Sequence, residues 1–251
     1  LIEGMGQKKW QISYSPVSED DFMKGVDIRL IEDFKVDEEW IVEPGDMLYL
    51  PPRIGHYGVN IGRSVTWSVG FRAPKHQELF RDFIEMKFDA MAEDARYSDP
   101  DMQYAHSKGE LSDDALDRVV AIVEAGLKTN RDEIAKWFAE FMTEPKMFQA
   151  PDLLEESVSP AQLYEFLDEG GALEIHPGLS LIHRQIGEQY MLFAGGKSYS
   201  LPLEDRSLIL LLMDAEFLEY DDLADYLENN RALEFLATLL NEGVLMMEEE
   251  A

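Results

Sequence analysis

Between Glu43 and Gly58 the chain reads Glu-Pro-Gly-Asp-Met-Leu-Tyr-Leu-Pro-Pro-Arg-Ile-Gly-His-Tyr-Gly, and this run constrains the fold more than any other. Pro44-Gly45 marks one turn and Pro51-Pro52 a second. The apolar residues between them, Met47, Leu48, Tyr49 and Leu50, have the length and composition of a buried strand. His56 then opens a further strand, with rigid prolines before it and Gly58 after it. An imidazole so constrained can serve as a ligand for iron, zinc, nickel or copper; the alternative is a hydrogen-bonded structural histidine.

Composition narrows the classes. The 251 residues allow one large domain or two to three small ones, and 45% hydrophobic content is enough for a sizeable core. There are no cysteines, which excludes disulfide scaffolds, thiolate zinc sites and cysteine nucleophiles and makes a reducing cytoplasm the natural home. No apolar run approaches the length of a membrane span, and no signal peptide opens the chain. The net charge is -29, and residues 151–251 carry 22 acidic side chains against 4 basic ones. Such a surface repels phosphate backbones and attracts basic partners; the alternative is that acidity serves only solubility or a salt-adapted source.

Residues 1–74 read as β structure, with strands expected over 1–14, 40–43, 47–50 and 65–71 and a polar loop with a short helix over 20–37. The period then changes. Phe80, Phe83, Ile84, Phe88 and Met91 recur at helical spacing, as do Leu116, Val119, Val120, Val123 and Leu127. Asn130 followed by Glu133 resembles a capping box and starts a third helix carrying Ile134, Trp137, Phe138, Phe141 and Met142. These broad apolar faces need a cover, either the parent barrel or a second copy of the chain. After a linker over 145–157, Ser159-Pro160 opens a helix that Gly170-Gly171 ends. Strands are expected over 172–175, 179–186 and 190–193, helices over 203–212, 221–228 and 232–241, and a closing strand over 244–247. This unit resembles a winged-helix domain, but its acidity argues against reading DNA.

Three further positions carry chemistry. In the first strand Lys8, Trp10, Ile12 and Tyr14 share one face by two-residue alternation. Lys8 therefore lies on the apolar face, where an ammonium is costly without an anion. It pairs with a protein carboxylate, binds an anionic ligand, or reaches to the rim of the sheet. Asp46, after Pro-Gly, reads as a turn residue that bonds nearby backbone. Thr66, Ser68 and Gly70 share one face of their strand, either lining a cavity beside His56 or facing solvent.

Taken together, these residues carry a resemblance. The spacing Gly45, Pro51, His56, Asn60 matches the second signature of the cupin barrels, which are jelly rolls, except that cupins usually carry glycine where this chain has Arg53. More specifically, the run from Glu43 through Pro51-Pro52 to His56, with Ser68-Val69-Gly70-Phe71-Arg72-Ala73-Pro74 and Tyr97-Ser98-Asp99-Pro100-Asp101, resembles the bacterial ribosomal oxygenases. These are JmjC-type hydroxylases of the cupin-4 group. The resemblance implies an α+β chain: the C-terminal part of a double-stranded β-helix barrel over residues 1–75, a helical dimerisation region over 76–146 and a winged-helix-like domain over 147–251.

It also implies a site. The family holds Fe(II) with an HxD pair and a distant histidine, a facial arrangement that leaves room for 2-oxoglutarate and oxygen. His56 matches the distant histidine. No histidine precedes it, so the HxD pair has no match, Leu1 is not expected to be the true start, and these residues alone are expected to be inactive. Lys8 falls where the family places the base that grips the distal carboxylate of 2-oxoglutarate, and Thr66 and Ser68 match positions near that cosubstrate. The implied reaction hydroxylates an arginine of a basic large-subunit ribosomal protein while 2-oxoglutarate is decarboxylated to succinate. The expected enzyme is a cytoplasmic homodimer with no nucleic acid or membrane partner. The rivals are a catalytically silent cupin used for binding or scaffolding, and a winged-helix regulator with a sensory barrel.

Overall fold

Strand β1 (Ile2–Ser13) is the centre of the first part of the molecule. It pairs antiparallel with β2 (Glu38–Val42) on one side and β3 (Gly55–Trp67) on the other, giving the order β2-β1-β3. The computed structural model describes residues 1–15, 19–26, 30–70, 73–101, 107–145, 154, 156–215 and 217–248. The chain divides into two compact units, Leu1–His76 and Gln77–Ala251.

In the first unit the β1–β3 ladder is interrupted between Glu3 and Gln7. Gly6 makes this possible. Its φ is 78°, and a Cβ there would lie 2.1 Å from the Arg63 carbonyl oxygen. Two strand expectations are corrected. Residues 47–50 are not a buried strand: Met47 forms only an isolated bridge with Ile2, and Met47 and Tyr49 are each 73% exposed. Leu48 alone is tied in, exchanging hydrogen bonds with Leu1; Pro51-Pro52 cannot donate to a continued ladder. Likewise the strand expected over 65–71 begins ten residues earlier and ends at Trp67, while residues 71–72 lie outside the described residues. Gly58 and Gly62 hide the alternation of its first half. The loop expected over 20–37 has a one-turn 3-10 helix at Glu19–Asp21 and a bridge from Phe22 to Ile31.

The second unit starts with helices α1 (His76–Asp89), α2 (Asp113–Leu127) and α3 (Arg131–Thr143). Ser112 caps α2 by accepting from the Ala115 amide, and Asn130 caps α3 by accepting from the amides of Asp132 and Glu133. α1 and α3 are latched twice. Lys87 Nζ lies 2.6 Å from Glu133 Oε1, and Trp137 Nε1 donates to Asp82 Oδ1 at 2.7 Å. Trp137 also meets Phe83 edge-on, with ring centroids 5.1 Å apart. α2 buries none of its residues, although Leu116, Val119, Val120, Ile122, Val123 and Leu127 make it strongly apolar.

The rest of this unit follows Ser159, whose side chain forms a capping box with Gln162 at the start of α4 (Pro160–Asp168). Then come β4 (Ala172–Ile175), β5 (Leu181–Ile186), β6 (Gln189–Ala194), β7 (Lys197–Pro202), α5 (Arg206–Asp214), β8 (Phe217–Leu218), α6 (Tyr220–Leu227), α7 (Asn230–Asn241) and β9 (Leu245–Glu248). They make two small sheets, β8-β4-β9 and the meander β5-β6-β7, the latter against α3. β7 and β8 have no counterpart in the sequence reading: Lys-Ser-Tyr-Ser-Leu-Pro is a polar run, and β8 has two residues. The core is built from Leu163, Leu167, Leu173, Leu208, Leu212 and Leu236, among others. α7 buries seven of its residues. At its end the Asn241 amide clamps Val158, accepting from its N–H at 2.8 Å and donating to its carbonyl at 2.9 Å.

Lys87 beside it, then the Thr129 hydroxyl, hold the Glu133 carboxyl below the usual carboxylate range. A carboxyl depressed in the folded state contributes stability above its unfolded pKa and loses it as pH falls through the folded value. Lys87→Met should therefore lower the melting temperature at neutral pH and flatten its fall between neutral pH and pH 3, followed by circular dichroism.

Candidate ligand-binding face

The β1–β3 register decides which side chains meet. Lys8 pairs with Asn60, Trp10 with Gly58 and Ile12 with His56. Directly paired residues project from the same face of a sheet, so Lys8, Trp10, Ile12, Asn60 and His56 share one surface. Trp10 and Ile12 are buried, Lys8 is half-buried and His56 is exposed. The Lys8 ammonium stands 4.7 Å from the centre of the Trp10 ring. The Trp10 and His56 rings are tilted by 51° with centroids 6.0 Å apart. No acceptor meets the buried Trp10 Nε1 among the described residues.

His56 Nδ1 lies 3.2 Å from the Ile54 carbonyl oxygen. With the proton on that nitrogen, Nε2 keeps its lone pair for a ligand. Among the described residues no three His, Asp or Glu side chains gather into a metal site. His56 thus has the chemistry of one metal donor, and these residues do not by themselves complete a coordination sphere.

Lys8 has no carboxylate partner among the described residues, whereas its neighbour Lys9 sits 3.3 Å from Glu39. Thr66 is occupied elsewhere: its hydroxyl donates to Glu3 Oε2 at 2.7 Å. Glu3 is 1% exposed, and its Oε1 has no partner among the described residues. Ser68 is exposed just past the end of β3, beyond the last paired residue Trp67. The sequence reading missed Glu3; its only signal was an acid set in the irregular Ile-Glu-Gly-Met-Gly run. Asp46 behaves as a turn residue, accepting from the Glu43 amide at 2.8 Å. Arg53 has a φ of 69°, so the left-handed turn conformation survives without the usual glycine, at a cost of about 1–2 kcal/mol.

Comparisons with known proteins bear on both ends of the chain. Residues 1–79 match the JmjC domain family model, and residues 126–246 match the model of the ROXA-like winged helix, which takes in α3. The chain therefore carries a portion similar to the JmjC domain and a portion similar to the ROXA-like winged helix, and the resemblance carried by residues 40–74 extends along its length. It is 27% identical to the ribosomal protein uL16 3-hydroxylase of Escherichia coli over 99% of this chain and 64% of that protein. It is 25% identical to a probable ribosomal oxygenase of Haemophilus influenzae over 90% of this chain and 57% of that one. A crystal structure of the E. coli ribosomal oxygenase YcfD superposes with a TM-score of 0.72 at 25% identity, covering 98% of this chain and 63% of that one. The same enzyme in complex with cobalt and 2-oxoglutarate gives 0.72 at 26% identity, covering 99% and 63%. The chain thus spans less than two thirds of the length of these relatives.

Thr66→Val removes the one hydrogen bond seen on the buried Glu3 carboxylate and should cost about 1–3 kcal/mol in urea unfolding. Ser68→Ala, at an exposed site, should stay within about 0.5 kcal/mol of the parent.

Proposed function

We propose that the protein is an iron(II)- and 2-oxoglutarate-dependent protein hydroxylase acting on an arginine of a large-subunit ribosomal protein. The observation that carries this reading is the Lys8 ammonium, free of carboxylates among the described residues, on the same sheet face as His56. A dianionic cosubstrate supplies the missing anion. Lys8 takes its distal carboxylate as a single point charge, less strict in direction than an arginine fork. His56 offers Nε2 as one donor to Fe(II), and the remaining donors come from residues other than those described. The metal, when bound, supplies the oxidative chemistry. The chain's own residues bind and orient: Trp10 and Ile12 form the buried apolar floor of the face, and the Ile54 carbonyl fixes the His56 tautomer. Thr66 and Ser68 contribute to the cosubstrate's surroundings more weakly, since the Thr66 proton is already given to Glu3.

The surrounding architecture supports the same reading. Among the described residues the first unit buries only Trp10 and Ile12 of its large apolar side chains, while Met47, Tyr49, Tyr57 and Trp67 are exposed. A sheet so open suits the second half of a JmjC/cupin barrel whose other half covers it. The apolar face of α2 suits a homodimer contact over the helical region. Acidity suits a basic ribosomal substrate in the cytoplasm and disfavours direct nucleic-acid binding. In the winged-helix portion α7 is spent on the core, and α6 shows Asp221, Asp222 and Asp225 to solvent, as does its C-cap Glu228.

In the full-length protein, His56→Ala should abolish 2-oxoglutarate-dependent turnover, measured as succinate release and as a gain of one oxygen atom on the ribosomal protein by mass spectrometry. Lys8→Ala should raise the apparent KM for 2-oxoglutarate by at least about tenfold, as expected for a charge-assisted contact. Wild-type protein that turns over no 2-oxoglutarate would instead indicate a catalytically silent cupin. For the dimer, Val120→Glu with Val123→Glu should halve the mass seen by light scattering.

A further inference from the structure

We infer that Trp10 is the positioning residue of this face, holding the Lys8 ammonium in place for an anion, and that Gly58 is the empty position that lets it do so. The inference rests on the reading of Lys8 as the cosubstrate's anchor and adds how that anchor is held.

Four observations meet here. Trp10 is 6% exposed and lies between two groups that are more open, Lys8 and His56. The ammonium rests 4.7 Å from its ring centroid. Trp10 and Gly58 are paired across the strands. A Cβ at Gly58 would come within 2.7 Å of both Lys8 Cε and Trp10 Cζ3, and 2.8 Å of Trp10 Cη2, so these two side chains fill the space a larger residue would take. The φ of Gly58 is not in the left-handed region, and so the glycine is required by packing and not by backbone conformation.

The chemistry explains why a ring, and not a carboxylate, does the holding. A carboxylate would fix the ammonium but also neutralise it, and would compete with any incoming anion. Lys9, one residue on, is held in that way by Glu39. The face of an indole attracts a cation through its quadrupole and leaves the net charge intact. Lys8 is thereby kept near one orientation with its full charge available to a carboxylate, and less side-chain freedom remains to be lost when the ligand arrives.

The test is a double-mutant cycle on full-length protein loaded with Mn(II) under anaerobic conditions, with the dissociation constant for 2-oxoglutarate read by calorimetry and the melting temperature recorded for each variant. Lys8→Ala comes first: if it leaves the dissociation constant unchanged, the anchor reading itself fails. Given a loss there, Trp10→Leu should weaken binding about 3- to 30-fold, the range of a cation–π contact, and Trp10→Phe, which keeps an aromatic face, should recover most of it. In the Lys8→Ala background Trp10→Leu should change the constant by less than about twofold, because its effect runs through Lys8. Gly58→Ala supplies an independent arm, weakening binding only when Lys8 is present. Equal losses from Trp10→Leu in both backgrounds, or no recovery with phenylalanine at equal melting temperature, would overturn the inference.

Discussion

The pairing of β1 with β3 is the constraint on which the candidate site depends. Side chains from residues 8–12 and 56–60 meet only because Lys8 lies opposite Asn60 and Ile12 opposite His56. A slip of one residue would send Lys8 and His56 to opposite faces of the sheet. The register is protected at one end by the glycine-dependent irregularity around Gly6, where any side chain would strike the Arg63 carbonyl. At the other it is protected by the burial of Trp10 and Ile12. The proposed metal donor, His56, and the proposed anion anchor, Lys8, are thus placed by backbone hydrogen bonding, with a buried indole between them.

The two units differ in how much they can do for themselves. Gln77–Ala251 contains a leucine-rich core, capped helices and two small sheets. Leu1–His76 is a three-stranded ladder in which, among the described residues, two large apolar side chains are buried. The contrast matches the comparisons, in which the JmjC portion and the winged-helix portion are separate models and the relatives are longer than this chain. The second unit rests on its own leucines, whereas most large apolar side chains described in the first remain exposed.

Much of this was legible in the sequence, for identifiable reasons. The helices were readable because Asn130, Ser159 and Gly243 punctuate clean periodic runs, and each boundary fell within a few residues. The common face of Lys8 and Trp10 followed from alternation in the regularly paired stretch of β1 from Gln7 to Ser13. What could not be read were features that depend on a partner segment. The 47–50 run has strand composition but no ladder to join. The first half of β3 hides behind Gly58 and Gly62, although Gly58 turns out to be the place over which Lys8 and Trp10 pack. The buried Glu3–Thr66 contact joins residues 63 positions apart and reassigns the threonine's proton, which alternation alone cannot reveal. Arg53 shows the reverse case: it departs from the glycine of the cupin pattern and yet takes the left-handed conformation that favours glycine.

The clamp at Asn241 has a consequence for assembly. A single amide at the far end of α7 satisfies both backbone groups of Val158, two residues before α4 begins. The approach to α4 is therefore closed by α7, the penultimate element, and 83 positions separate bolt from doorway. A growing chain can cap α4 early through Ser159 and Gln162, but the Val158 clamp has no bolt until Asn241 has been made, so it is among the last contacts this part of the chain can close.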